Sequence, residues 1–150
     1  MVSPPLAFSN QTVFKGSLSE RAKFHNTGLY NLGGTGAYPI PNRGAFELTG
    51  IAKDMGAFRA PSLRNVGRTA PYMHDGSVAS LREVLDIYAA GGRVITEGPN
   101  AGDGRVNPFK SRLVGRIDLT QQDRNDLIAF LLTLTEEDFS MDPRFSDPFD

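Results

Sequence analysis

The side chains able to do acid–base, ligand or redox chemistry are few. The chain has two histidines, His25 and His74, with four methionines, four tyrosines and no cysteine. Without cysteine, disulfides, thiolate catalysis, zinc-finger sites and thioether attachment of haem are excluded within these residues. His74 lies in Ala70-Pro71-Tyr72-Met73-His74-Asp75-Gly76, where Asp75-Gly76 is turn chemistry. His25 lies in Lys23-Phe24-His25-Asn26-Thr27-Gly28, read as a helix end. Taken alone, each histidine reads as a structural residue bonded to nearby backbone. Ser62, His74 and Asp75 come without a strand–Gly-x-Ser-x-Gly–helix elbow, so a hydrolase triad has no support. Gly33-Gly34-Thr35-Gly36 is glycine-rich but lacks the lysine of a phosphate loop.

The elements that would position these residues read as mainly α with long loops. Ser80-Leu81-Arg82-Glu83 has the form of a capping box, in which a serine hydroxyl and a glutamate carboxylate each satisfy a free amide. Leu81, Val84, Leu85 and Tyr88 follow at the i, i+3, i+4, i+7 spacing of one helix face, and Gly91-Gly92 stops the run. The spacing therefore predicts a helix over 80–90, with Tyr88 on its apolar stripe. A second helix is expected over 120–134, opened by Thr120 with Asp123 three residues on and striped by Leu127, Ile128, Leu131 and Leu134. Weaker helices are expected from Ser17 and over Ser62 to Val66, where Pro61 suits a helix start. Residues 27–50 and 92–118 read as long loops, the first with at most a small hairpin. Loops of that length in a small domain usually wrap a ligand or partner, or are disordered.

The totals set the class. A chain of 150 residues fits one domain, here 1–150 with a core of about 14–135 and an acidic tail over 136–150. Sixteen glycines and ten prolines agree with abundant loops. A net charge of −1 with scattered basic residues gives no footprint for nucleic acid or an anionic membrane. No segment reaches the roughly 20 apolar residues of a membrane span, and Met1-Val2-Ser3-Pro4-Pro5 lacks the form of a signal peptide. Few helices amid long loops point to a cofactor, metal or partner that completes the core.

A longer pattern says which. Met55-Gly56-Ala57-Phe58-Arg59-Ala60-Pro61-Ser62-Leu63-Arg64-Asn65-Val66, then Thr69-Ala70-Pro71-Tyr72-Met73-His74-Asp75-Gly76, then Ser80-Leu81-Arg82-Glu83-Val84 resembles a signature of bacterial di-haem cytochrome c peroxidases. Phe24-His25-Asn26-Thr27-Gly28 and the run from Leu119 to Thr135 resemble the same family, over roughly 14–135 in all. Tyr72-Met73-His74 and Tyr88 are closest to its MauG-like branch.

The resemblance implies the C-terminal haem domain of such a protein, cytochrome c-like and incomplete at its N-terminus, with one haem c. The family's Cys-x-x-Cys-His motif would fall at or just before residues 1–5 and is missing. Tyr88 takes the place of the distal iron ligand, although by spacing alone it reads as a core aromatic. Met55 and Met73 are rival ligands. Arg59, Arg64 and His74 would meet haem propionates or line the space between haems, and surface pairing is the plain alternative for the arginines. Thr69 and Pro71 match positions that help bind calcium between two haem domains. The implied activity is oxidation driven by hydrogen peroxide, in the periplasm. The implied partners are an N-terminal haem domain and an electron-donor or substrate protein. The chain alone is expected to be inactive. The alternative is a remnant or interaction module that keeps the fold without covalent haem.

Overall fold

The computed structural model describes residues 24–136, so the helix expected from Ser17 and most of the acidic tail lie outside the described residues. The chain divides into two compact units, Met1–Ala60 with Asp86–Asp118 and Pro61–Leu85 with Leu119–Asp150.

In the first unit β1 (Phe24–Asn26) pairs antiparallel with β2 (Ala57–Arg59), His25 standing opposite Phe58. Between them lies α1 (Phe46–Thr49), a single turn. The Ala45 amide donates to the Ala57 carbonyl at 2.9 Å, which draws Ala45 onto the sheet, where it packs in a small apolar cluster with Phe24 and Ala57. A second short ribbon joins β3 (Val94–Ile95) to β4 (Gly102–Asp103). Its return passes close to the first turn of the unit: a Cβ on Gly104 would run into the Gly28 carbonyl oxygen, so only glycine fits there.

Three buried asparagines do the work that ladders do elsewhere. Asn26 accepts from the Gly28 amide at 2.8 Å and the Tyr38 hydroxyl at 2.7 Å, and donates to the Met55 carbonyl at 2.8 Å. Asn31 accepts from the Gly36 amide and donates to the Asp103 carbonyl, both at 2.8 Å. Asn107 donates to the Tyr30 carbonyl at 2.7 Å and accepts from the Phe109 amide at 2.8 Å. Each closes a local turn and ties it to a distant one. Buried backbone groups of irregular segments need such partners.

The second unit holds the segment 61–80, the first part of α2 (Leu81–Ala90), and α3 (Gln121–Thr133). The Glu83 amide donates to Ser80 Oγ at 3.2 Å, and the Glu83 carboxylate takes the Ala79 amide at 3.0 Å, so the box reaches one residue further back than drawn from sequence. At α3 the box is complete: the Asp123 amide donates to Thr120 Oγ1 at 3.1 Å, and the Thr120 amide donates to the Asp123 carboxylate at 2.8 Å. Arg82 donates to the Asn125 side chain at 2.8 Å. The Asn65 amide donates to the Leu134 carbonyl at 3.0 Å, fastening the end of α3.

The mainly α, cytochrome c-like class expected from the sequence is corrected. The described residues hold only three α-helices, one of them four residues long, with two two-stranded sheets, short 3-10 turns and much irregular chain. The two longer helices open on side-chain caps; elsewhere Asn, Ser and Thr side chains compete for the backbone. The helix expected over Ser62–Val66 shows the competition. Ser62 Oγ accepts from the Arg64 amide at 3.2 Å, Asn65 adopts a left-handed φ of 57°, and only a 3-10 turn follows at Val66–Arg68. His25, expected at a helix end, lies in β1.

Candidate functional site

Tyr88 sits on the last turn of α2, and the carbonyls there are almost fully accounted for. A helix end leaves four carbonyls without intrahelical donors. Here the Gly91 amide donates to Tyr88 O at 3.0 Å, the Gly92 amide to Ile87 O at 2.9 Å and the Ile117 amide to Ala89 O at 3.0 Å. Gly91 makes the reversal at a φ of 76°, the left-handed cap that glycine takes without a Cβ clash. The Tyr88 side chain is 39% exposed, and the partial burial that remains pushes its phenol above the ordinary tyrosine range. A ferric ion at its oxygen would reverse that bias, since a nearby cation favours the charged form.

Met55 follows a 3-10 turn in the first unit and is half-buried, with its carbonyl held by Asn26. Arg59 ends β2 and is exposed. His25 meets Ser111 Oγ through Nδ1 at 3.3 Å, a distant side chain and not the nearby backbone expected from sequence.

The other predicted residues belong to the second unit, where Thr69, Pro71, Met73 and His74 share one loop. Tyr72 and Val78 close it, with amide-to-carbonyl bonds of 2.6 and 3.3 Å. The Tyr72 hydroxyl donates to the Val66 carbonyl at 3.0 Å. Met73 adopts a φ of 68°, a left-handed conformation that costs an L-residue about 1–2 kcal/mol. His74, Arg64, Thr69 and Pro71 are exposed and Met73 is half-buried. The Thr69 hydroxyl donates to the Val66 carbonyl at 3.2 Å. No group of three or more His, Cys, Asp or Glu side chains suited to a metal ion occurs among the described residues. The structure thus gathers Thr69, Pro71, Met73 and His74 on one loop, while Met55, Arg59 and Tyr88 belong to the other unit.

Sequence reasoning missed Lys110, whose ammonium reaches the carbonyls of Gly91 and Arg105 at 2.6 and 2.7 Å. Nothing local announces it. The roles of the three asparagines were missed too, though Asn26-Thr27-Gly28 and Asn107-Pro108 are turn sequences that could have pointed to two of them.

No family model matches the sequence. Individual relatives do. The cytochrome c peroxidase IdrP1 of Denitromonas iodatirespirans is 38% identical over 105 residues, 69% of this chain and 25% of that protein. The methylamine utilization protein MauG of Methylorubrum extorquens is 36% identical over 95 residues, 63% of this chain and 24% of that protein. A crystal structure of a MauG-like protein associated with microbial copper homeostasis superposes with a TM-score of 0.83 at 63% identity, over 85% of this chain and 36% of that one. The chain belongs to the family of cytochrome c peroxidases and MauG-like proteins. It spans about a quarter of the length of the curated relatives it matches.

A haem suits these residues in two respects. Tyr88 is 39% exposed, and its phenol oxygen is a hard ligand for ferric iron. The unit that carries Tyr88 also leaves an apolar side chain open, Ile117 at 53% exposure. Covalent attachment is the respect that fails, because the chain has no cysteine.

Proposed function

We propose that the chain is the C-terminal haem-bearing part of a di-haem peroxidase or MauG-like oxidoreductase, with Tyr88 as the distal iron ligand. The observation that carries this is the pairing of a fastened helix end with a partly exposed phenol at the position the family resemblance assigns. Haem c, attached through cysteines outside these residues, supplies one-electron chemistry with hydrogen peroxide as oxidant. Tyr88 would hold the iron through its phenolate oxygen, and the Gly91 amide on its carbonyl fixes the main chain at that position. His74, Arg59 and Arg64 present exposed polar groups suited to carboxylates. Carbonyls of Thr69 and Pro71 contribute to a calcium site whose remaining ligands lie elsewhere.

The partners in this reading are a second, N-terminal haem domain and an electron-donor or substrate protein, in the periplasm. No described helix is long and apolar enough to cross a membrane. The likeness to the protein associated with copper homeostasis supports a role of the complete protein in that process. The second reading, a haem-free interaction module, draws on the absence of cysteine.

Placing a Cys-x-x-Cys-His segment upstream, in cells that mature c-type cytochromes, decides between them. The expected product carries a ferric haem whose ligand-sensitive bands change in Tyr88→Phe and stay in Met55→Leu and Met73→Leu. The chain without that segment should show no peroxide-dependent dye oxidation above a free-haem control. Failure to gain a Soret band, or equal spectra for Tyr88→Phe and the parent, contradicts the proposal.

A further inference from the structure

We infer that Lys110 is a positioning residue for Tyr88, its ammonium clamping the end of α2 through the Gly91 carbonyl. The inference rests on the reading of Tyr88 as an iron ligand.

The linkage is short. Lys110 Nζ donates to Gly91 O at 2.6 Å, and the Gly91 amide donates to Tyr88 O at 3.0 Å. A single residue therefore separates the ammonium from the turn that carries the phenol. Lys110 Nζ also donates to Arg105 O at 2.7 Å, so its head is fixed by two carbonyls. Its backbone is anchored as well, since the Lys110 amide donates to Asn107 O at 3.1 Å and the buried Asn107 side chain holds Tyr30 O. The helix end is the negative end of the α2 dipole, which favours a cation. A half-buried lysine bonded to two carbonyls is a charge-assisted clamp, stronger than a neutral hydrogen bond. A surface lysine serving solubility would leave its amine in water. An iron ligand needs its oxygen held within a fraction of an ångström, and such precision comes from groups behind the ligand.

The test uses the 150-residue chain itself, with ferric haem added as the probe. Amide exchange is read at Gly91 and Gly92, and the phenolate-to-iron charge-transfer band is read in the haem-loaded protein. Lys110→Met should raise exchange at both amides about tenfold, the loss of one charge-assisted bond, and shift or abolish the band. Lys110→Arg, which keeps a cation with donors, should retain the band. The Gly36 amide, bonded to Asn31, reports whether the fold survives; if it exchanges freely in Lys110→Met, the retained band and protection of Lys110→Arg against Lys110→Gln decide instead. An unchanged band in folded Lys110→Met, with or without faster exchange, overturns the positioning role. A band that survives Tyr88→Phe is a different failure: it removes the ligand assignment, and the inference falls with it.

Discussion

Three asparagine side chains hold the first unit's turns together, and their removal should be felt out of proportion to their size. Asn107 is buried and bonded to Tyr30 O and the Phe109 amide, and it reaches Gly36 O at 3.3 Å. Truncation strands those groups in a site from which water is excluded, and each stranded group costs about 1–3 kcal/mol. Asn107→Ala should therefore lose about 3 kcal/mol in urea unfolding, with no matching loss for the exposed Asn125→Ala. A loss under about 0.5 kcal/mol would show that the turn re-forms its bonds without the side chain. The sequence makes Asn26 legible among turn formers, since turn chemistry is local, whereas Asn107 passes unread within the 92–118 loop. It does not reveal which distant carbonyl each one reaches. Tyr88 was legible as a residue on an apolar stripe. Its 39% exposure was not, because exposure depends on what the rest of the chain covers.

Among the elements, α2 and α3 were legible because each pairs a capping sequence with apolar residues at helical spacing. The β1–β2 pair was hidden: three-residue strands carry almost no periodicity, and Phe24 finds its partner at Arg59, far along the chain. The supposed Ser62–Val66 helix failed because a serine before a turn serves its own neighbours as readily as a helix. The α3 cap gives a pH dependence whose sign is fixed. Hydrogen bonds from the Thr120 side chain and backbone hold the Asp123 carboxyl below its ordinary range. A depressed folded-state pKa contributes stability present above the unfolded value and lost as pH falls through the folded one. Acidification through and below the ordinary carboxylate range should thus fray the start of α3, read as faster amide exchange at Asp123 and Arg124. Asp123→Asn should flatten that dependence. Thr120→Ala should cost about 1 kcal/mol at neutral pH. A pH response undiminished in Asp123→Asn would assign it to another group.

For the whole molecule, the telling feature is apolar surface without cover. None of the residues of α3 is buried, though Leu127, Phe130 and Leu132 lie on it, 37%, 56% and 50% exposed. The family was legible in the sequence because its signature is carried by three closely spaced runs of residues between Met55 and Val84. The fold class was misjudged because that run turned out to be largely loop and turn. The most direct test of the account is a titration of the chain with ferric haem at neutral pH, read by resonance Raman at phenolate-sensitive excitation. The account predicts iron–phenolate modes in the parent chain, in Met55→Leu and in Met73→Leu, and their disappearance in Tyr88→Phe. Binding without phenolate modes, or modes that persist in Tyr88→Phe, would contradict it.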